Sequence, residues 1–157
     1  MDLIGKLEAS RVATLEAFAL GAEDMEKVYG PGKWTVRWIL HHLADAETVL
    51  FDRVRRVISE PRPVIWAFDQ DAWAEHLDYQ TRPLAISRDL YNATREGVIH
   101  YARAHYEIDD LREFVHSETG VRTLRQELEK VALHNEAHLA QIRTAIGGTA
   151  HAARTSS

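Results

Sequence analysis

Two histidines one helical turn apart are the residues of this chain best placed to do chemistry. His134 and His138 lie in the stretch 131–142, which contains neither Pro nor Gly. Residues four apart share a helix face, so the two imidazoles can point into the same space. Two such nitrogens form half of a metal site, although a histidine pair at this spacing also occurs as a surface accident or a hydrogen-bonded core feature.

A third donor has to come from another helix, and the segment around residue 40 offers His41 and His42. His42 follows Ile39 by three residues and precedes Ala46 by four, which places it on or close to the apolar face. His41 is rotated from it by about 100°, as consecutive helical residues are. Helical phase therefore selects His42 as the better candidate to join His134 and His138.

The chain contains no cysteine, so a metal would be held by His, Asp or Glu. Three imidazoles leave a fourth coordination position open, as in reactive rather than structural sites. Imidazole donors favour Zn, Ni, Cu or Fe over Mg or Ca. Asp45, Glu47 and Glu136 are candidates to orient a ring N–H, and their helical phase gives none of them an advantage.

Four long segments with helical periodicity must position these side chains, and they cover residues 3–26, 35–59, 83–105 and 123–148. Thr35 is a plausible N-cap for the second, and Thr123 with Gln126 forms a capping box for the fourth. The pair Gly147 and Gly148 predicts the end of the last helix. No segment shows strand alternation, so we predict an all-α fold, a four-helix bundle.

Two long connections separate the predicted helices. Residues 60–82 are long enough to cross the bundle, and 68–73 within them could form a short helix over the bundle end. Residues 106–122 form the second connection. We predict one domain over 1–148 and a flexible, small and polar tail over 149–157.

Composition limits the class of protein. The chain has 157 residues, 45% of them apolar, and a formal net charge of −5 that is spread along its length. The sequence has no stripe of basic residues that would indicate nucleic-acid binding. It also has no apolar segment that approaches the roughly 20 residues needed to span a bilayer. We therefore expect a cytoplasmic protein with no nucleic-acid or membrane partner. Five other histidines are assigned surface or structural roles: His76, His100, His105, His116 and His151.

Two stretches resemble a known family. Residues 32–47, which read GKWTVRWILHHLADAE, and residues 134–142, which read HNEAHLAQI, resemble the signature elements of the DinB-like (YfiT-type) superfamily. Residues 68–73 and 120–124 also resemble family segments in the right order. Trp38 departs from the family pattern, in which an acidic residue is common there, and Leu139-Ala140 replaces a frequent Arg-Gly or His-Gly.

The resemblance implies a four-helix bundle with up-down-down-up connectivity, often a homodimer, and a divalent metal, Zn or Ni, held by His42, His134 and His138. It also implies a small-molecule substrate and an enzyme of the thiol S-transferase type, with a low-molecular-weight thiol as cosubstrate. Two alternatives stay open: a metal-dependent hydrolase using a metal-bound water, and a non-catalytic, stress-related binding or dimerisation module. Six aromatic residues are candidates to line the pocket or to fill the core: Tyr29, Trp34, Trp38, Trp66, Trp73 and Tyr79.

Overall fold

The computed structural model describes residues 2–152, with side chains described up to Gly147. These residues form six helices and three short strands, in the order α1 (Leu3–Phe18), α2 (Ala22–Met25), α3 (Val36–Ser59), β1 (Val64–Ile65), α4 (Gln70–His76), α5 (Leu84–His105), β2 (Glu113–His116), β3 (Gly120–Thr123) and α6 (Leu124–Ala152). The four long helices α1, α3, α5 and α6 form the predicted bundle. No helix within residues 2–152 has both the length and the apolar character needed to cross a membrane.

The caps predicted for the two helices that carry histidines are confirmed. The Thr35 side chain accepts a hydrogen bond from the backbone N–H of Trp38 at the start of α3. At the start of α6, Thr123 N–H donates to Gln126 Oε1 at 3.1 Å, and Gln126 N–H donates to Thr123 Oγ1 at 3.4 Å. These reciprocal bonds satisfy amides that have no partner inside the helix, and they fix where each helix begins.

The first predicted helix is wrong in its length. The helix α1 ends at Phe18, and Gly21 then takes an extended backbone conformation as the N-cap of the short helix α2. Glycine is also less favourable than alanine inside a helix by about 1 kcal/mol, which favours a break here. The break that we expected only at residues 29–32 therefore comes earlier in the chain.

The prediction that the chain has no strands is also wrong. Strand β1 pairs with β2 in parallel, and β2 pairs with β3 antiparallel, to give a three-stranded sheet. The strands have only two to four residues, too few for alternation to be visible in the sequence. Phe114 of β2 is fully buried in the apolar cluster that also contains Leu124 and Leu128 of α6. The sheet thus belongs to the core at one end of the bundle.

The end of α6 lies further along the chain than predicted. The helix continues through Gly147 and Gly148 to Ala152. A glycine inside a helix costs about 1 kcal/mol relative to alanine, which weakens a helix without having to end it. Residues 149–152 of the predicted tail are helical, and residues 153–157 lie outside the described part of the chain.

Helices α3 and α5 run in the same direction, because later residues of α3 contact later residues of α5. His41 pairs with Ser87, and two turns later the Glu47 carboxylate binds Arg95. A Cβ at Gly97 would lie 2.5 Å from the Phe51 ring, so the helices approach closely at this glycine. Between α3 and α6 the order is reversed: His42 lies next to His134, whereas Arg53 lies next to Glu127.

Candidate metal centre

The structure brings together the three histidines that helical phase selected. One ring nitrogen from each of His42, His134 and His138 lies within 4.8 Å of the others. The Nε2 atoms of His42 and His134 are 3.1 Å apart. Two nitrogens bound to one tetrahedral ion, each about 2.0–2.1 Å from it, would lie roughly 3.3 Å apart. The donor set and this spacing fit a divalent metal; binding itself stays a prediction.

Burial keeps all three imidazoles in the form that binds metal. Loss of hydration lowers the pKa of His42 to about 3, and the neighbouring His138 and His134 add to this effect. Burial likewise lowers the pKa of His134 to about 3, and it lowers the pKa of His138. At neutral pH the rings are therefore uncharged and carry a free lone pair.

Gln141 orients one of the three rings. Its Oε1 lies 2.8 Å from Nδ1 of His138, one turn earlier on α6. An amide oxygen can only accept, so Nδ1 of His138 is protonated and its Nε2 is left as the donor atom. No role was predicted for Gln141, because its contact with His138 becomes visible only once the ring positions are known. By contrast, Nδ1 of His42 is buried and has no hydrogen-bond partner among the described residues.

Aromatic side chains enclose the histidines. The Trp34 ring lies 5.1 Å from that of His42, centroid to centroid, and the Phe68 ring stacks on His42 at 6.4 Å with an interplanar angle of 15°. Trp73 of α4 packs on Phe68 at 5.1 Å. Trp34 and Trp73 were among the predicted pocket residues, whereas Phe68 was missed although its segment had been noted.

The other aromatic candidates lie elsewhere. Trp38 packs against Tyr79 at 5.9 Å, and the Tyr79 hydroxyl donates to Asp45 at 2.8 Å. Burial raises the pKa of Tyr79, and the hydrogen bond to Asp45 adds to this. Trp66 is 75% exposed.

None of the three acidic candidates orients a histidine of this centre within the described residues. Asp45 accepts hydrogen bonds from Tyr79 and Arg82. Glu47 accepts from Arg95, and Glu136 pairs with Arg143 on the surface. The prediction was wrong because each carboxylate has a cationic partner nearby, which sequence spacing on one helix does not reveal.

His41 is as buried as His42 but faces α5. Its Nδ1 lies 2.7 Å from the Ser87 hydroxyl. Burial lowers its pKa to about 4, and the charges of Arg82 and Arg37 lower it further. Helical phase therefore separated the two adjacent histidines correctly, although both lie inside the protein.

A buried ion-pair network holds the helices together beside the histidines. Arg95 is fully buried and donates to both carboxylate oxygens of Glu47, at 2.6 and 2.8 Å. It also donates to Asn135 Oδ1 at 2.7 Å, and the Asn135 amide donates to Thr14 at 2.9 Å. The network joins α1, α3, α5 and α6 at the residue next to His134.

The remaining histidines are not part of this cluster. His116 is buried, and its Nδ1 accepts from the backbone N–H groups of Glu118 and Thr119, which is the structural role expected. The side chain of His151 lies outside the described part of the structure.

The fold and the site together define a class: helical bundles in which three histidines converge between two long helices. The chain belongs to the DinB superfamily, whose family model matches residues 6–142.

Relatives and a solved structure agree with this assignment. A protein of Oceanobacillus iheyensis, provisionally named metal-dependent hydrolase OB0782, is 35% identical over 123 residues, 78% of this chain and 71% of that protein. A second from the same organism, OB0413, carries the same provisional name and is 29% identical over 130 residues, 82% of this chain and 73% of that protein. The structure of YfiT from Bacillus subtilis, described in equally provisional terms as a metal-dependent hydrolase with an unusual four-helix-bundle topology, superposes with a TM-score of 0.82. The match has 26% identity and covers 92% of this chain and 86% of YfiT.

Proposed function

We propose that this protein is a divalent-metal-dependent hydrolase that acts on a small-molecule substrate at His42, His134 and His138. The convergence of three neutral imidazoles, two of them with Nε2 atoms 3.1 Å apart, carries the proposal. The provisional names of the relatives support hydrolysis as the reaction. When bound, a divalent ion would supply Lewis acidity, which polarises a carbonyl and lowers the pKa of a water or thiol.

The chain's own residues have separate tasks in this proposal. The three imidazoles hold the metal, and Gln141 fixes the His138 ring so that Nε2 faces inward. Trp34 and Phe68 keep bulk water from His42 and offer flat apolar surfaces to a substrate. Imidazole donors suit Zn or Ni, which we keep as the expected metals.

The thiol S-transferase prediction shares this site and differs only in the nucleophile. In the transferase reaction a low-molecular-weight thiol would replace water and an alkyl halide would replace the ester, so that a thioether, a halide ion and a proton form instead of a carboxylic acid and an alcohol. One assay separates the two reactions: the metal-free protein is loaded with Zn or Ni and incubated with aryl esters and with alkyl halides, each with and without added cysteine.

The hydrolase proposal predicts metal-dependent ester cleavage that needs no thiol and is lost in His134→Ala. The exposed His100 on α5 provides the matched control, since His100→Ala leaves the site intact. Turnover that appears only with thiol and alkyl halide would replace the hydrolase with the transferase. No metal-dependent turnover in either arm would favour the non-catalytic binding module.

Three further features are proposals as well. The parallel order of the α3–α5 contacts and the reversed order of the α3–α6 contacts support up-down-down-up connectivity, with residues 60–83 as the crossover. A homodimer is expected from the family resemblance and is tested by light scattering after size exclusion. A cytoplasmic location, expected from the sequence, is tested by cell fractionation.

A further inference from the structure

Basic side chains from three elements meet on the sheet side of the histidines. They are Arg53 of α3, Arg122 of β3 and Lys130 of α6, and the charges of both arginines act on Lys130. Arg53 is only 4% exposed and is held in place, because it donates to Glu127 at 3.2 Å and to the carbonyl of Trp66 at 3.0 Å. The other two cations lack such partners.

Lys130 is half-buried without an ion pair. Among the described residues, no carboxylate lies within 4.0 Å of its Nζ. Burial lowers the pKa of Lys130; Glu127 opposes this, and Arg53 and Arg122 add to it. Arg122 is also unpaired in the described part of the chain, and its Nε is buried with no hydrogen-bond partner. Half-buried cations are normally paired, so Lys130 and Arg122, which form a basic cluster with Arg53, are left able to bind an anion.

This basic cluster adjoins the candidate metal centre. Lys130 precedes His134 by one helical turn and therefore shares its face of α6, about 5–6 Å away between Cβ atoms. After burial and His138, the positive charge of Lys130 is the next cause that lowers the pKa of His134. A ligand that reaches the histidines can thus extend one turn along α6 to the Lys130 ammonium.

The donors that remain free fit a carboxylate. Arg53 is already paired with Glu127 at 3.2 Å, which leaves Lys130 and Arg122 as the cations of this cluster without an ion pair among the described residues. A carboxylate has two oxygens, so one can accept from the Lys130 ammonium and the other from the Arg122 guanidinium.

We propose that Lys130, supported by Arg122, binds a carboxylate of the substrate whose reacting group lies at the three histidines. The inference rests on the proposed function and names its substrate class. The substrates would be small molecules with a carboxylate at one end and a scissile group at the other, separated by about the rise of one helical turn. Lys130 is a specificity-determining residue in this account.

Two measurements test it. In the first, sodium phenylacetate and neutral phenylacetamide are titrated calorimetrically into the metal-free protein, so that no metal can bind the carboxylate. Phenylacetate should bind more tightly than the amide, and Lys130→Met should reduce its affinity at least about tenfold, the usual effect of losing a hydrogen bond to a charged group. Lys130→Arg should retain most of the binding. Lys6→Met should equal wild type, because Lys6 is an exposed residue of α1 that lies beside Leu133 and Glu136, on another face of α6.

In the second, the zinc-loaded protein hydrolyses 4-nitrophenyl hydrogen glutarate, an anionic ester, and 4-nitrophenyl butyrate, a neutral one. The ratio of the two kcat/KM values should fall about tenfold in Lys130→Met and stay at the wild-type value in Lys6→Met. Metal content and far-ultraviolet circular dichroism show whether each variant is loaded and folded. If Lys130→Met does not fold, Lys130→Gln and Arg122→Met serve in both measurements.

The outcomes separate the two proposals. Selective phenylacetate binding that Lys130→Met abolishes, with no hydrolysis of either ester, would retain the anion site and refute the hydrolase. Hydrolysis with an unchanged ratio in Lys130→Met would retain the hydrolase and refute the anion site. Equal binding of phenylacetate and phenylacetamide, or tighter binding of inorganic phosphate than of phenylacetate, would also overturn the carboxylate assignment.

Discussion

At the residue scale, the candidate centre depends on one amide that holds one imidazole. Gln141→Leu removes the acceptor for His138 Nδ1–H, so the ring is free to rotate and its Nε2 is no longer aimed inward. Loss of such a partner lowers metal affinity about 10- to 100-fold. Competition with a chromogenic chelator measures this, and Gln141→Glu, which keeps an acceptor, should stay near wild type. Equal zinc affinity in wild type and Gln141→Leu would contradict the role given to Gln141.

A second residue-scale prediction concerns the Arg95–Glu47 pair. Glu47→Gln leaves a fully buried guanidinium opposite a neutral amide, and breaking a buried pair costs about 3–5 kcal/mol. Urea denaturation should show a lower free energy of unfolding of that order. The matched control is Glu60→Gln, where Glu60 forms a partly exposed pair with Arg56, and it should change stability by less than about 1 kcal/mol. Similar losses in both variants would show that the Arg95 network does not hold the helices.

At the element scale, the close approach of α3 and α5 requires a glycine. Gly97→Ala would place a Cβ 2.5–2.7 Å from ring atoms of Phe51. Overpacking of this kind costs about 1–3 kcal/mol, which outweighs the roughly 1 kcal/mol that alanine gains over glycine in a helix. Gly147→Ala is the control, since nothing lies within 4 Å of a Cβ there, and it should stabilise. Thermal unfolding of the two variants should shift in opposite directions; a shift in the same direction would contradict the packing described.

The elements also show how much the sequence could predict. The starts of the helices that carry the histidines were predicted to within a residue, because Thr35 and the Thr123–Gln126 box are local signals. The sheet was not predicted. It pairs Val64 with Val115, which are far apart in sequence, and its strands are too short to show an alternation of apolar and polar residues.

The candidate site, too, could be predicted only in part from the sequence. Helical phase was enough to choose His42 over His41, since it depends on one helix alone. Phe68, Lys130 and the partners of Asp45 and Glu47 were missed because they depend on contacts between elements.

At the scale of the whole molecule, buried neutral histidines make stability depend on pH. The pKa of His41 falls from its ordinary value near 6.5 to about 4, and that of His42 to about 3. The unfolded chain therefore binds more protons than the folded one in this range, and folding stability falls as pH decreases from about 6.5 towards 3–4. Urea titrations of the metal-free protein between pH 7.5 and 4.5 should show this decline.

His41 tests the origin of that pH dependence, since it is buried but lies outside the histidine cluster. In His41→Asn the decline in the free energy of unfolding with decreasing pH should be shallower than in wild type. The exposed His100 is the control, and His100→Asn should keep the wild-type slope. Identical slopes in all three proteins would contradict a buried neutral His41.

The proposed function requires that His42, His134 and His138 together hold one divalent metal. Elemental analysis of the untagged protein, purified without chelator, measures this. We expect about one equivalent of zinc or nickel per chain in wild type and in His100→Ala, and a loss of at least tenfold in His42→Ala, His134→Ala and His138→Ala, because two imidazoles bind far more weakly than three. Unchanged metal content in the three site variants, all shown to be folded, would contradict the claim.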